Sequence, residues 1–139
     1  MGSRRQSREY ALQMLYQLEI SQDNLDHVLQ HYWERQTEED EETKEFANFL
    51  VKGVEGQKSE IDAFIVKYSA HWKLSRMAAV DKNILRLAVF ELRNCQDIPL
   101  KVTLNEAIEI AKKFGSEESG SFINGVLDKI AKEVKKTGE

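Results

Sequence analysis

Apolar residues recur every three or four positions along almost the whole chain, and no segment alternates like a strand bounded by hairpin turns. That spacing gathers apolar groups on one side of an α-helix, whereas a half-buried strand needs a period of two. The first predicted helix runs from about Arg4 to Ile20, with Ala11, Leu15 and Leu18 as its stripe, Met14 beside them, and Ser3 and Gln6 at capping-box spacing. A second starts near Asn24 and carries Leu25, Val28, Leu29 and Tyr32. A third holds Phe46, Leu50 and Val54 and tapers at Gly53 and Gly56; a fourth opens around Ser59 with Ile61, Phe64, Ile65 and Tyr68. The strongest pattern spans about Met77 to Asn94, through Ile84, Leu85, Ala88 and Leu92. The single proline, Pro99, ends it, because the ring removes a donor and restricts the residue before it.

The remaining segments follow the same logic. Thr103-Leu104-Asn105-Glu106 reads as a capping box opening a sixth helix, and Gly115 as its C′ residue. A last helix covers about Ser119 to Lys135, with a tail expected to fray. Gly125 lies inside it at a cost of roughly 1 kcal/mol against alanine, so close packing is expected there. Thr37 to Glu42 forms an acidic connector, and His71-Trp72-Lys73-Leu74-Ser75 a break between two halves. The reading is an all-α chain.

At 139 residues the chain suits one domain that buries about two-thirds of its unfolded surface, without disulfides or metals. The lone Cys95 cannot form an internal disulfide and suits a reducing compartment. No apolar h-region follows Met1 to Arg8, and no apolar run approaches the ~18 residues of a membrane span. A cytoplasmic protein is expected.

Catalytic motifs are absent: there is no phosphate-binding loop, nucleophile elbow or dinucleotide fingerprint. His27 and His31 have a spacing that can hold zinc, but no third ligand follows, and they lie off the apolar stripe. The acidic run Glu38 to Glu42 lacks the alternating ligands and glycine of a calcium loop. No metal, no cofactor and no enzyme activity are expected.

The N-terminus breaks a local rule. Arg4, Arg5 and Arg8 open the first helix, where the dipole favours acids, and Glu9 is the nearest offset in sequence. A bound phosphate would resolve the conflict, since guanidinium forks, free N–H groups and the dipole would act together. Net charge is −4, so nucleic-acid binding would have to rest on a local basic patch. Tyr16 lies off the apolar stripe, on the flank of Arg5, Glu9 and Gln13, and offers a stacking face to an unpaired base. Phe122 stands at the margin of the last helix's stripe. Asp81 lies in line with Ile84, Leu85 and Ala88 on an apolar face, where an unpaired carboxylate is costly: it reads as a first-turn acid near the helix N-terminus, as a pair with Arg76 or Lys82, or as a polar contact to a protein partner.

Several of these segments resemble one family. Arg8-Glu9-Tyr10-Ala11 with Leu15-Tyr16 resembles the opening of NusB proteins, and Asp81 to Leu92 their central helix. Ile98-Pro99, Asn105 to Lys112 and Phe114-Gly115 resemble the next segment, and Phe122-Ile123-Asn124-Gly125-Val126-Leu127-Asp128 is the most specific match. The resemblance implies a helical bundle of two small subdomains, about 1–72 and 73–139. It implies binding to single-stranded boxA RNA together with NusE, a small-subunit ribosomal protein. That complex would join RNA polymerase and other Nus factors to suppress termination, notably in ribosomal RNA operons. Carried onto this chain, Arg4, Arg5, Arg8, Gln13, Tyr16 and Phe122 become RNA-contacting residues, and Asp81 and Glu118 partner-facing ones. Two alternatives stand beside it: the rRNA-binding module of a methyltransferase-type system, and a homodimeric helical scaffold.

Overall fold

A computed structural model describes residues 3–35, 39–69 and 73–138, with side chains placed for 4–35, 39–69 and 73–134. The expected Ser3 cap, the first part of the acidic connector, the His71-Trp72 break and the side chains of the tail lie outside these. The described residues form seven α-helices and no strand: α1 Ser3–Ser21, α2 Leu25–Tyr32, α3 Glu41–Gly56, α4 Lys58–Tyr68, α5 Ala79–Asn94, α6 Leu100–Phe114 and α7 Ser119–Gly138. Short 3₁₀ turns at Trp33–Arg35 and Leu74–Arg76 join them.

Two caps act as the local chemistry requires. Asn24 Oδ1 accepts the His27 N–H at 2.8 Å and opens α2, and Asp40 Oδ1 accepts the Thr43 N–H at 2.8 Å and opens α3. The sixth helix departs from its expected start. It begins directly after Pro99, whose fixed φ of −58° suits a helix entrance. Thr103 therefore lies inside α6 and donates from Oγ1 to Glu91 Oε1 at 3.1 Å, so the expected capping box does not form.

α5 is the spine. Every residue from Asn83 to Leu92 is buried, so this helix has no solvent face over that stretch. It packs against α1, α3, α4, α6 and α7. α1 lies against α3 and α5 through Ala11, Met14 and Leu15, all at most 2% exposed. α7 closes the bundle with Ile123, Leu127 and Ile130, which are fully buried. The buried side chains form one continuous cluster.

Buried ionic groups fix how the helices meet. Arg86 donates two bonds to Asp62, at 2.8 and 3.0 Å, and one to Glu19 at 3.1 Å, joining α5 to α4 and α1. Glu19 also takes Lys82 at 2.7 Å. Of the alternatives for Asp81, the pair with Lys82 is thereby taken up elsewhere, and Asp81 stands as the acid in the first turn of α5.

The glycines correct the sequence reading. Gly125 is exposed, and a Cβ there would meet nothing within 4 Å, so close packing within the chain does not explain it. Gly115 caps α6 with φ −94° and ψ −170°, an extended rather than left-handed conformation. Its reason is space: a Cβ would come within 2.5 Å of Ser119 Oγ. Gly53 is tighter still, because a Cβ would sit 2.1 Å from the Phe90 ring.

We expect Gly53→Ala to destabilise the fold by about 1–3 kcal/mol through overpacking, and Gly125→Ala to stabilise it by up to about 1 kcal/mol through helix propensity. Urea unfolding of the two variants measures both. Equal midpoints would show that the Phe90 ring yields freely.

Candidate nucleic-acid interface

The first turn of α1 carries no acidic residue, and Arg5 and Arg8 are answered by carboxylates from other helices. Arg8 is only 5% exposed and faces inward. Its Nε and Nη2 donate to the two carboxylate oxygens of Glu91, at 2.7 and 2.8 Å, and Glu91 is 2% exposed. A guanidinium so engaged is spent on joining α1 to α5. The expectation that Arg8 offers a free fork to phosphate is corrected here: burial requires a partner, and Glu91 is that partner.

Arg5 behaves differently. Its side chain is half exposed, and it donates from Nε and Nη2 to Glu106 of α6 at 2.8 and 2.7 Å. The Arg5 hydrogen bonds hold the Glu106 carboxyl below its ordinary 4.5. Arg4 is exposed and lies over the Phe46 ring, 4.0 Å from its centroid. On the next turn Glu9 accepts Lys113 Nζ at 2.9 Å. Arg4, Arg5, Gln6, Arg8, Glu9, Val102, Glu106 and Lys113 together line one open groove of about 550 Å³ between α1 and α6. Lys113 and Glu106 were not legible as site residues, since they stand more than a hundred positions from their partners.

Tyr16 lies eleven residues beyond Arg5, about 16 Å further along the same helix. It is 42% exposed. Ile20, one turn on, is also exposed. Gln13 is exposed, but its Oε1 accepts the Tyr32 hydroxyl at 2.6 Å, which tethers it toward α2. Tyr32 itself meets Tyr10 and Trp33 edge-on at 6.0 and 5.0 Å, holding α2 against α1.

The other expected site residues gather elsewhere. Asp81, Glu118 and Phe122 line a pocket of about 110 Å³ between the starts of α5 and α7, with Arg76, Ser116 and Ser119. Asp81 Oδ1 is buried there without a hydrogen-bond partner, so Arg76 does not satisfy it. Phe122 is half-buried against the core at the edge of this pocket. Ser119 is 1% exposed, and its Oγ accepts the Ser116 N–H at 2.9 Å, which fixes the turn into α7.

Three other features are accounted for locally. The His27 and His31 rings lie 4.2 Å apart at a tilt of 52°, and the two residues pair with Asp23 and Glu34. Among the described residues no three metal-ligating side chains cluster. Burial raises the Cys95 thiol to about 11, so it stays protonated at neutral pH.

Fold and groove together define a helical binding protein with an open, charged surface. The model of the NusB family matches residues 5–132, and the chain belongs to that family. It is 46% identical over 134 residues to the transcription antitermination protein NusB of Myxococcus xanthus, covering 94% of this chain and 96% of the relative. The solved structure of T. maritima NusB superposes with a TM-score of 0.86 at 42% identity, over 94% of this chain and 91% of that one. A crystal structure of the antitermination factors NusB and NusE in complex with dsRNA contains a chain with TM-score 0.86 and 28% identity, over 96% of this chain and 98% of that one.

The two arginine environments separate in their energetics. Arg8→Ala leaves the buried Glu91 carboxylate without a cation and is expected to cost about 3–5 kcal/mol; Arg5→Ala, at a half-exposed pair, should cost under about 1 kcal/mol. Denaturant titration of both variants tests this, and similar losses would contradict the distinction. The Arg5–Glu106 pair also carries a pH signature. A depressed carboxyl adds stability above its unfolded pKa and loses it as pH falls through the folded value. The stability difference between wild type and Glu106→Gln should therefore shrink as pH falls below the ordinary carboxyl value of 4.5.

Proposed function

We propose that this chain is an RNA-binding transcription antitermination factor that acts with NusE. The observation that carries the reading is the α1–α6 groove, where Arg4, Arg5 and Lys113 reach solvent on one side of the bundle. Similarity to a protein crystallised with NusE and dsRNA supports it. So does 46% identity to a transcription antitermination protein.

The groove takes the RNA backbone, and Tyr16 stacks on a base. Stacking requires an unpaired base, which favours a single-stranded element of the boxA type over a closed duplex. Asp81, Glu118 and Phe122 form a second contact region about the α5–α7 pocket, where Phe122 meets RNA and the carboxylates face NusE. Arg8 acts at one remove, by holding the start of α1 in place. In the assembled complex the protein is a non-enzymatic adaptor in the cytoplasm, linking transcript and ribosomal protein to RNA polymerase and the other Nus factors. No helix among the described residues is long and apolar enough to cross a membrane. The helical halves of about 1–72 and 73–139 meet along α5, so RNA and NusE bind a single body.

Anisotropy titration of a labelled boxA oligonucleotide, with and without NusE, tests the reading against a scrambled oligonucleotide. Preference for boxA should appear and grow with NusE. Equal affinity for both sequences under both conditions would remove sequence-specific binding from the account. Tyr16→Ala should lose about 1–3 kcal/mol of RNA binding with unchanged helicity; a parallel loss of helical signal would make Tyr16 a packing residue instead.

A further inference from the structure

The cations of the groove are not free charges. Arg5 is held by Glu106, Lys113 by Glu9 and Arg8 by Glu91. Among the described residues Arg4 alone of the four has no carboxylate partner, and it rests on Phe46. The depth of the pairs is asymmetric. The Arg5 and Lys113 side chains are 50% and 61% exposed, whereas those of Glu106 and Glu9 are 17% and 12% exposed. The cations form the rim, and the carboxylates form the floor beneath them.

This geometry has a consequence for any polyanion. A phosphate approaching Arg5 or Lys113 meets a charge already neutralised by a carboxylate recessed beneath it. The new ion pair is then largely an exchange for an old one, and the field of the groove stays weak at a distance. An RNA that offers only its backbone gains little. One that also stacks a base, or arrives with a partner protein, gains enough to bind.

We propose that Glu106 and Glu9 are specificity-determining residues of the RNA groove: they act as resident anions that neutralise Arg5 and Lys113 against indiscriminate backbone binding while fixing both cations in position. The inference rests on the reading of this groove as the RNA site. Glu106 has the larger share, because its bidentate grip also sets the plane of the Arg5 fork.

The test uses the full-length chain with Glu106→Gln, Glu9→Gln and the double variant Arg5→Gln/Glu106→Gln. Each is titrated with scrambled and preferred single-stranded RNA across salt concentrations. Unmasking one cation should steepen the log–log salt slope for scrambled RNA by about 0.7, which is roughly fivefold tighter binding at 0.1 M salt. The preferred RNA should gain less from Glu106→Gln, because it loses an oriented fork, so the ratio between the two RNAs contracts. With Arg5 also removed, the gain should vanish. A purely structural role would weaken both RNAs without steepening the slope. Unchanged or weaker binding of scrambled RNA by both single variants, with wild type still binding its preferred RNA, overturns this proposal alone. Failure of wild type with NusE to bind either RNA overturns the functional reading with it.

Discussion

The Arg8–Glu91 pair is the constraint on which the rest of the interface depends. Two charged groups lie inside the bundle and satisfy each other with two parallel hydrogen bonds, and Thr103 adds a third from α6. Such a pair contributes little net stability compared with apolar residues of the same volume, but it tolerates only one arrangement of its helices. Slippage of α1 along α5 would leave a buried charge unpaired. The start of α1 is thereby fixed against α5 and α6, and Arg4 and Arg5 inherit their positions from it. Function at the rim is supported by ionic order in the interior.

The charges also divide by depth. Arg8 and Arg86 are buried and bridge helices, whereas Arg5 and Lys113 face solvent over recessed acids. In a chain with net charge −4, the groove brings cations to solvent by recessing their acids beneath them. The groove does this with side chains drawn from the two ends of the sequence.

Much of the fold was legible in the sequence because helical periodicity is a local signal. The seven helices of the described residues follow from stripes such as Ala11, Leu15 and Leu18. The segment about Met77 to Asn94 shows the strongest stripe, but its burial on every side from Asn83 to Leu92 is a tertiary fact. Starts were less legible where two local signals competed. Pro99 opened α6 before the apparent box at Thr103, whose hydroxyl went to Glu91 instead. Glycine roles could not be assigned, since Gly53 and Gly115 answer to a ring and a hydroxyl that only the folded chain brings near, while Gly125 answers to nothing in this chain. The site was half visible. Three arginines at a helix start were conspicuous, but their partners Glu91 and Glu106 are remote in sequence. Burial of Arg8 and tethering of Gln13 by Tyr32 are tertiary facts with no local trace.

The unbroken burial of α5 has a consequence for how the chain is made. Ten successive residues without a wet side form a segment that no single neighbour can shelter. The N-terminal helices cover part of its circumference and the last two helices cover the remainder. A nascent chain that has emerged only as far as α5 therefore leaves one side of that helix uncovered until α6 and α7 arrive. Cutting the chain between the halves would leave the side of α5 that α1, α3 and α4 cover exposed to water.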